Sequence, residues 1–337
     1  MDVLDTHHPG ADNSVTQRLY HFTTPCVMWR SMTSPTTLRL SAQPVPLGKS
    51  GISVFPIAWG MWRLARPDGN DDIGAIVARI EAALEAGITL FDTADIYGCD
   101  AALGFGGAEV LLGKALAARP DLRDRMTIAT KGGIVLGIPY DSSPDYLNKA
   151  LAASLERLGL PSVELYQIHR RDFLAHPRDV AETLAAMVES GKVKAIGVSN
   201  YSPAEFEALQ AYLPFPIVST QPEFSAARYA PLYDGTLDQA MARDVAVLAW
   251  SPLGGGRLAA GSEDPVAKLV AAQGARYGTD AAAAALSWIM AHPSRAIPIV
   301  GSQTPERILA SRDALKVEWT ASEWYAVLEA SMGARLP

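Results

Sequence analysis

The sequence predicts an α/β protein whose eight parallel strands close into a (β/α)8 barrel, the TIM-barrel architecture, with an N-terminal hairpin and a C-terminal helix. Short apolar strands alternate with helical runs eight times along the chain, and each unit is short enough for a right-handed crossover. Polar and ionisable residues also collect where the strands end. Asp92, Lys131, His169, Ser199-Asn200, Gln221, Trp250-Ser251 and Gly301-Ser302 occupy such tips on seven strands, where a barrel carries its functional groups. An open doubly wound sheet is the main competitor. The G-x-G-x-x-G fingerprint that would favour it does not follow the first strand, and Gly104-Phe105-Gly106-Gly107 has the wrong spacing.

Each element has its own signal. Turn residues between short apolar runs at Pro46–Val54 predict the hairpin. Phe55–Trp59, closed by Gly60, reads as the first strand. Asp71-Asp72 precedes a helix with Ile73, Ile76, Val77, Ile80 and Ala83 on one face, ended by Gly87. Strand two follows at Ile88–Thr93, a helix at Gly107–Ala118 and strand three at Met126–Thr130. Ser143-Pro144 caps a helix running to Leu158-Gly159, with Pro at the favoured first position, before strand four at Val163–Ile168. The second half repeats the rhythm. Helices are expected at Pro177–Ser190, from Ser202-Pro203, and at Gly235–Arg243, Pro265–Tyr277 and Ala281–Ala291; strands fall at Lys194–Val198, Ile217–Thr220, Val245–Trp250 and Ile297–Val300. Thr304-Pro305-Glu306 caps the last barrel helix, and Thr320-Ala321-Ser322-Glu323 reads as a capping box for the C-terminal one. Residues 38–334 are thus expected to form a single barrel domain. Residues 1–31 are mixed and polar without a sustained period; they are expected to be a disordered extension, with Met32 an alternative start.

Composition narrows the function classes. The formal charge of −7, with no Lys/Arg run to overturn it locally, argues against nucleic-acid binding. Cys26 and Cys99 show neither metal spacing nor a disulfide framework. His169, His176 and His292 lack zinc-site spacing, and Ser199 and Ser251 lack a nucleophile elbow. No metal is expected. No apolar run reaches the roughly 18 residues of a spanning helix, and no signal peptide is indicated, so a cytoplasmic protein is expected.

The functional reading centres on Phe91-Asp92-Thr93-Ala94-Asp95-Ile96-Tyr97-Gly98, where the second strand runs into a loop. A sheet fixes the backbone while the loop exposes side chains. The next two strands end at Lys131 and His169, so three consecutive strands each deliver an ionisable group. The run F-D-T-A-D-I-Y-G, then A-T-K-G-G, Q-I-H-R and I-G-V-S-N, resembles the aldo-keto reductase family over roughly Pro46 to Met332. The ending A-W-S-P-L-G-G-G-R-L looks most like its bacterial oxidoreductases.

The chemistry of the four residues fits that resemblance. A phenol with a pKa near 10 is mismatched as a neutral-pH acid, and a neighbouring ammonium, Lys131, is expected to lower it. Asp92 can keep Lys131 charged and aimed at the phenol, and His169 can donate a hydrogen bond to a carbonyl. The resemblance assigns the same roles, with Tyr97 as general acid/base and Asp92, Lys131 and His169 completing the tetrad. It further implies NADP(H) as cofactor, NAD(H) less so. Ser199, Asn200 and Gln221 would hold the nicotinamide carboxamide and Trp250 would stack on its ring. The loop Ser251-Pro252-Leu253-Gly254-Gly255-Gly256-Arg257, with bare amides and one guanidinium, suits a pyrophosphate. The segment Gly301-Ser302-Gln303-Thr304-Pro305-Glu306-Arg307 starts a helix, an anion-binding location, and in the family it grips the adenosine 2′-phosphate. Ser302 and Arg307 match; the Lys often found first is Gly301 here, and Ala310 and Ser311 replace a common Glu-Asn pair.

The expected activity is therefore NADPH-dependent reduction of aldehyde or ketone carbonyls on a small-molecule substrate. A barrel lyase or aldolase using Lys131 is the alternative enzyme, although a paired Asp92 opposes the depressed pKa it would need. A non-catalytic NADP-binding regulatory subunit is the alternative outside enzymes. Trp59-Gly60-Met61-Trp62 and Gly132–Asp145 are expected to line the mouth; neither the substrate nor the oligomeric state is readable.

Overall fold

The computed structural model describes residues 37–65, 72–259 and 261–337. The expectation for residues 1–31 lies outside them. Among the described residues the strands are β1 (Thr37–Leu38), β2 (Val45–Pro46), β3 (Ser53–Val54), β4 (Ala58–Gly60), β5 (Leu90–Asp92), β6 (Thr127–Gly132), β7 (Val163–Ile168), β8 (Val193–Ser199), β9 (Ser219–Gln221), β10 (Ala246–Ala249), β11 (Ile297–Val300) and β12 (Trp319–Thr320). The α-helices are α1 (Ile73–Glu85), α2 (Gly107–Ala118), α3 (Pro144–Leu158), α4 (Pro177–Glu189), α5 (Pro203–Gln210), α6 (Thr236–Arg243), α7 (Pro265–Arg276), α8 (Ala281–Met290), α9 (Pro305–Ala310) and α10 (Ala321–Met332). Strands β4 to β11 form a closed barrel of parallel neighbours, β11 pairing back onto β4 through Ile299 with Ala58 and Val300 with Trp59.

Two cores follow from the alternation of side chains along each strand. Ala58, Leu90, Ala129, Leu165, Ala195, Leu248 and Ile297 face the barrel interior. Val45, Leu47 and Val54 of the antiparallel β2–β3 hairpin join the same cluster, so hairpin and barrel share one interior core. Phe91, Ile128, Tyr166 and Ile196 belong to the larger cluster shared with the helices.

The helix ends obey local chemistry. Asp72 accepts the amides of Gly74 and Ala75 at the start of α1, and Ser143 accepts that of Tyr146 at α3, which ends at Gly159 in the left-handed region. Capping boxes occur at Ser202/Glu205 and at Thr320/Glu323. At α9 Thr304 occupies the cap position but its side chain makes no capping bond; Ser302 Oγ accepts the Thr304 amide instead.

Several strands sit further along than their apolar runs suggest. The first is Ala58–Gly60 rather than Phe55–Trp59, and the sixth is Ser219–Gln221 rather than Ile217–Thr220. The third continues to Gly132, so Lys131 lies inside it, paired with Gln167. In each case the ladder with the neighbouring strand, and not local hydrophobicity, sets the end. The β1–β12 pair joins residues distant in sequence and had no local signal.

Candidate functional site

Alternation along β5, β6 and β7 turns Asp92, Lys131 and Gln167 inward, one layer above Leu90, Ala129 and Leu165. The Lys131 side chain is completely buried. Its ammonium donates to Asp92 Oδ2 at 2.7 Å, to the Thr93 carbonyl at 2.8 Å and to the Tyr97 hydroxyl at 3.0 Å. All three of its N–H donors are thereby used. Asp92 Oδ1 accepts from Gln221 Nε2 at 2.9 Å and from Gln167 Nε2 at 3.4 Å. Tyr97 hangs from the turn after β5, its amide bonded to the Ala94 carbonyl. That turn continues through Gly98 at φ 99°, where a Cβ would press on the Gly104 carbonyl at 3.0 Å. The Tyr97 and His169 rings meet edge to face with centroids 5.7 Å apart, and both residues are partly accessible.

The electrostatics correct one expectation. Burial pushes the Tyr97 phenol above its ordinary value; Lys131 pulls the other way without overcoming it. Tyr97 therefore keeps its proton at neutral pH. Burial opposes the Lys131 charge, but Asp92 and Tyr97 together outweigh it and the ammonium is held charged. His169 is driven well below its ordinary range by burial first, then by Lys131 and Arg170, so its ring is neutral. Its Nδ1 has no hydrogen-bond partner among the described residues. A charged lysine, a protonated phenol and a neutral imidazole on one opening can protonate and polarise a carbonyl oxygen.

The second half of the barrel mouth is held together by its own polar groups. Ser199 Oγ donates to the Gln221 carbonyl at 3.0 Å. The Asn200 side-chain amide donates to Ser199 Oγ at 2.9 Å and to the His169 carbonyl at 3.2 Å. The half-buried Trp250 donates its indole N–H to Asn200 Oδ1 at 3.0 Å. Asn200 and Ser251 both hold left-handed backbone, at φ 57° and 54°. Such positions cost roughly 1–2 kcal/mol each and gather at functional sites.

The loop 251–257 departs from its expected form. Its amides are not bare: Gly254 N–H donates to the Ser251 carbonyl, Gly255 N–H to Ser251 Oγ, Gly256 N–H to the Leu253 carbonyl and Arg257 N–H to the Gly254 carbonyl. Arg257 is not a free cation either, because it pairs with Asp264 at 2.7 Å. A run of three glycines curls into a single 3-10 turn, which consumes these donors. Pro252 is buried and Leu253 packs on the core. After β11, Gly301 and Arg307 are exposed and Ser302 is half-buried. Arg307 makes no ion pair with Glu306 or any other carboxylate among the described residues. The helix it opens is only six residues long, too short for its dipole to matter much.

Three features were missed by sequence reasoning. Gln167 and Gln221 both brace Asp92. Arg63, from the loop after β4, lies beside Gly301, where a Cβ would stand 3.5 Å from its Nη1. Behind the strand tips lies a buried acidic pair. Glu109 accepts from Thr130 Oγ1 at 2.5 Å and pairs with Arg157 at 2.7 Å, while Asp95 accepts from the Tyr146 hydroxyl at 3.3 Å. Burial, and then Glu109, push the Asp95 carboxyl up to about 8. Only the D-T-A-D spelling of the strand end could have drawn attention to Asp95.

A parallel barrel with ionisable groups gathered at one mouth defines an α/β-barrel enzyme. The sequence model of the Aldo/keto reductase family matches residues 56–331, and the chain belongs to that family. It is an oxidoreductase of the carbonyl reductase type, and the family generally uses NAD(P)H. A 6-dehydroglucose reductase of Novosphingobium aromaticivorans is 50% identical over 307 residues, covering 88% of this chain and 100% of that protein. A second 6-dehydroglucose reductase, from Agrobacterium fabrum, is 37% identical, covering 82% and 94%. The oxidoreductase YdhF of Escherichia coli is 35% identical, covering 88% and 99%. The fold is that of a thermostable aldo-keto reductase crystallised with the inhibitor epalrestat, at a TM-score of 0.75 and 23% identity, covering 86% of this chain and 99% of that one. Among the described residues no helix is long and apolar enough to cross a membrane.

Proposed function

We propose that the protein is an NADPH-dependent reductase that converts an aldehyde or ketone on an oxidised sugar to the alcohol, with Tyr97 as general acid. The observation that carries it is the Lys131 ammonium, held between Asp92 Oδ2 at 2.7 Å and the Tyr97 hydroxyl at 3.0 Å. The sugar class rests on the two 6-dehydroglucose reductases among its relatives, one of them half identical over its whole length.

A nicotinamide held at the Ser199, Asn200, Gln221 and Trp250 strand tips would supply hydride to the carbonyl carbon. The chain's own residues handle the oxygen. Tyr97 holds its proton at neutral pH and gives it to the developing alkoxide; the adjacent ammonium then stabilises the phenolate left behind. Asp92 fixes the ammonium, and Gln167 and Gln221 fix Asp92. Neutral His169 carries one N–H to donate to the carbonyl oxygen, which orients it. Trp250 offers a ring face whose orientation is set by Asn200, and Arg307 is a cation without a carboxylate partner; these features fit a nicotinamide dinucleotide carrying an extra phosphate. The lysine-based lyase fares worse. Schiff-base chemistry needs a neutral, reachable amine, and Lys131 is charged, buried and fully hydrogen-bonded.

The test is NADPH oxidation followed with 6-dehydroglucose and with simple aldehydes and ketones. Turnover that favours the sugar and vanishes in Tyr97→Phe is the expected result. Turnover unchanged in that variant would remove the assigned acid; no turnover of any carbonyl by wild-type enzyme would remove the function.

A further inference from the structure

The segment after β11 begins with a residue that has no side chain. Around Gly301 the space is almost empty: an added Cβ would meet one atom within 4 Å, the Arg63 Nη1 at 3.5 Å. The guanidinium from a neighbouring strand's loop thus lies in van der Waals reach of where a side chain of residue 301 would begin. That juxtaposition is built in. β4 and β11 are hydrogen-bonded neighbours, and their two loops are tied by Trp59 Nε1 donating to the Ser302 carbonyl at 2.9 Å and Gln303 Nε2 donating to the Gly60 carbonyl at 3.2 Å. The turn carrying Arg63 is anchored as well, with Met61 N–H on the Asp92 carbonyl and Leu64 N–H on the Met61 carbonyl.

Arg63 itself is exposed and lies over the Trp62 ring, 5.0 Å from its centroid. Stacking holds a guanidinium by its face and leaves its N–H edge open. Several arginines are matched by carboxylates, Arg119 with Glu81 and Asp121, Arg228 with Glu223, Arg243 with Glu207, Arg257 with Asp264 and Arg276 with Glu323. Arg63 and Arg307 have no carboxylate among the described residues, and they flank the same short segment. Guanidiniums without a carboxylate partner among the described residues, one beside the start of this segment and one at its end, offer charge-assisted donors to a phosphate.

Resting on the NADPH reading above, we propose that Arg63 determines cofactor specificity, its guanidinium joining Arg307 on the adenosine 2′-phosphate and supplying from another strand the charge that Gly301 cannot. Arg63 does not touch the reacting atoms. Its effect falls on affinity for the phosphorylated cofactor.

The experiment is isothermal titration calorimetry of the full chain with NADPH, NADH and adenosine 2′,5′-bisphosphate, for wild type, Arg63→Gln and Arg63→Gln/Gly301→Lys. Loss of one charge-assisted contact should weaken NADPH and the bisphosphate by about tenfold or more while leaving NADH within about twofold. The double variant should recover most of the loss, since a lysine at 301 returns one cation to the segment and its Cβ has room there. Circular dichroism should give the same melting temperature for all three. Wild-type affinity for NADPH that is unchanged in Arg63→Gln overturns this inference and leaves the cofactor reading standing. Equal weakening of NADH overturns the 2′-phosphate assignment. Wild-type protein that binds neither nucleotide overturns the cofactor reading itself.

Discussion

Lys131 Nζ stands 3.0 Å from the Tyr97 hydroxyl and 4.7 Å from the centroid of the same ring, so one buried charge addresses both the phenol oxygen and the π system behind it. Burial raises the phenol's pKa and the ammonium restrains the rise. In the reducing direction this suits a donor, which must hold a proton until an alkoxide forms. Tyr97→Phe removes the proton and little else. It should lower kcat by about two to four orders of magnitude with NADPH affinity retained, as judged by steady-state kinetics beside calorimetry. A loss carried wholly by cofactor affinity would place Tyr97 outside the chemistry.

Asp92 and Lys131 stabilise each other only as a pair. Asp92→Ala leaves an ammonium in the barrel interior with the Thr93 carbonyl and Tyr97 as its remaining partners. Breaking a buried pair from one side costs about 3–5 kcal/mol. Urea unfolding should show a loss of that order, with activity lost as well. Asp92→Asn keeps an oxygen for Lys131 and should fall between the two. Equal stability of wild type and Asp92→Ala would mean that the pair is not buried in solution.

Much of this site is written in the chain, and the reason is the period-two geometry of strands. Leu90 and Asp92, Ala129 and Lys131, and Leu165 and Gln167 sit two apart, so an apolar inward residue predicts where the next polar one points. What local pattern cannot give is which tips meet across the barrel. Gln221 reaching Asp92, and Arg63 covering Gly301, depend on strand stagger and on loops far apart in sequence. The glycine loop failed for a different reason. Three glycines permit both an open anion cradle and a tight turn, and sequence does not choose between them. The direction of the Tyr97 shift was equally hidden, because the depth of burial is a property of the closed barrel.

Asp95 titrates out of the usual carboxylate range and should leave a pH signature. Its folded pKa is about 8 against an ordinary 3.8, so between those values the folded protein holds a proton that the unfolded chain has lost. Stability from this group is complete below 3.8 and falls as pH rises towards 8. Asp95→Asn cannot ionise and still offers Tyr146 an oxygen. Its stability relative to wild type should rise with pH across that window, by an amount on the order of a few kcal/mol, and level off above it. Unfolding curves at a series of pH values measure this. Parallel profiles for the two proteins would show that Asp95 is ionised throughout.

Trp250 and Arg63 should separate the two ends of the cofactor. The Trp250 indole N–H is the donor to Asn200 Oδ1, and Asn200 in turn bonds Ser199 and the His169 carbonyl. Trp250→Phe keeps an aromatic face but removes the indole donor to Asn200 Oδ1, so the ring loses its fixed orientation while Asn200 keeps its bonds to Ser199 and the His169 carbonyl. The nicotinamide half is common to NADPH and NADH. Both should therefore weaken together, by about three- to tenfold, whereas a substitution at Arg63 moves NADPH alone. Their effects should multiply in the double variant if, as proposed, the two groups act on opposite ends of one ligand. A discriminating effect of Trp250→Phe between the two nucleotides would contradict the placement of the nicotinamide ring at this strand tip.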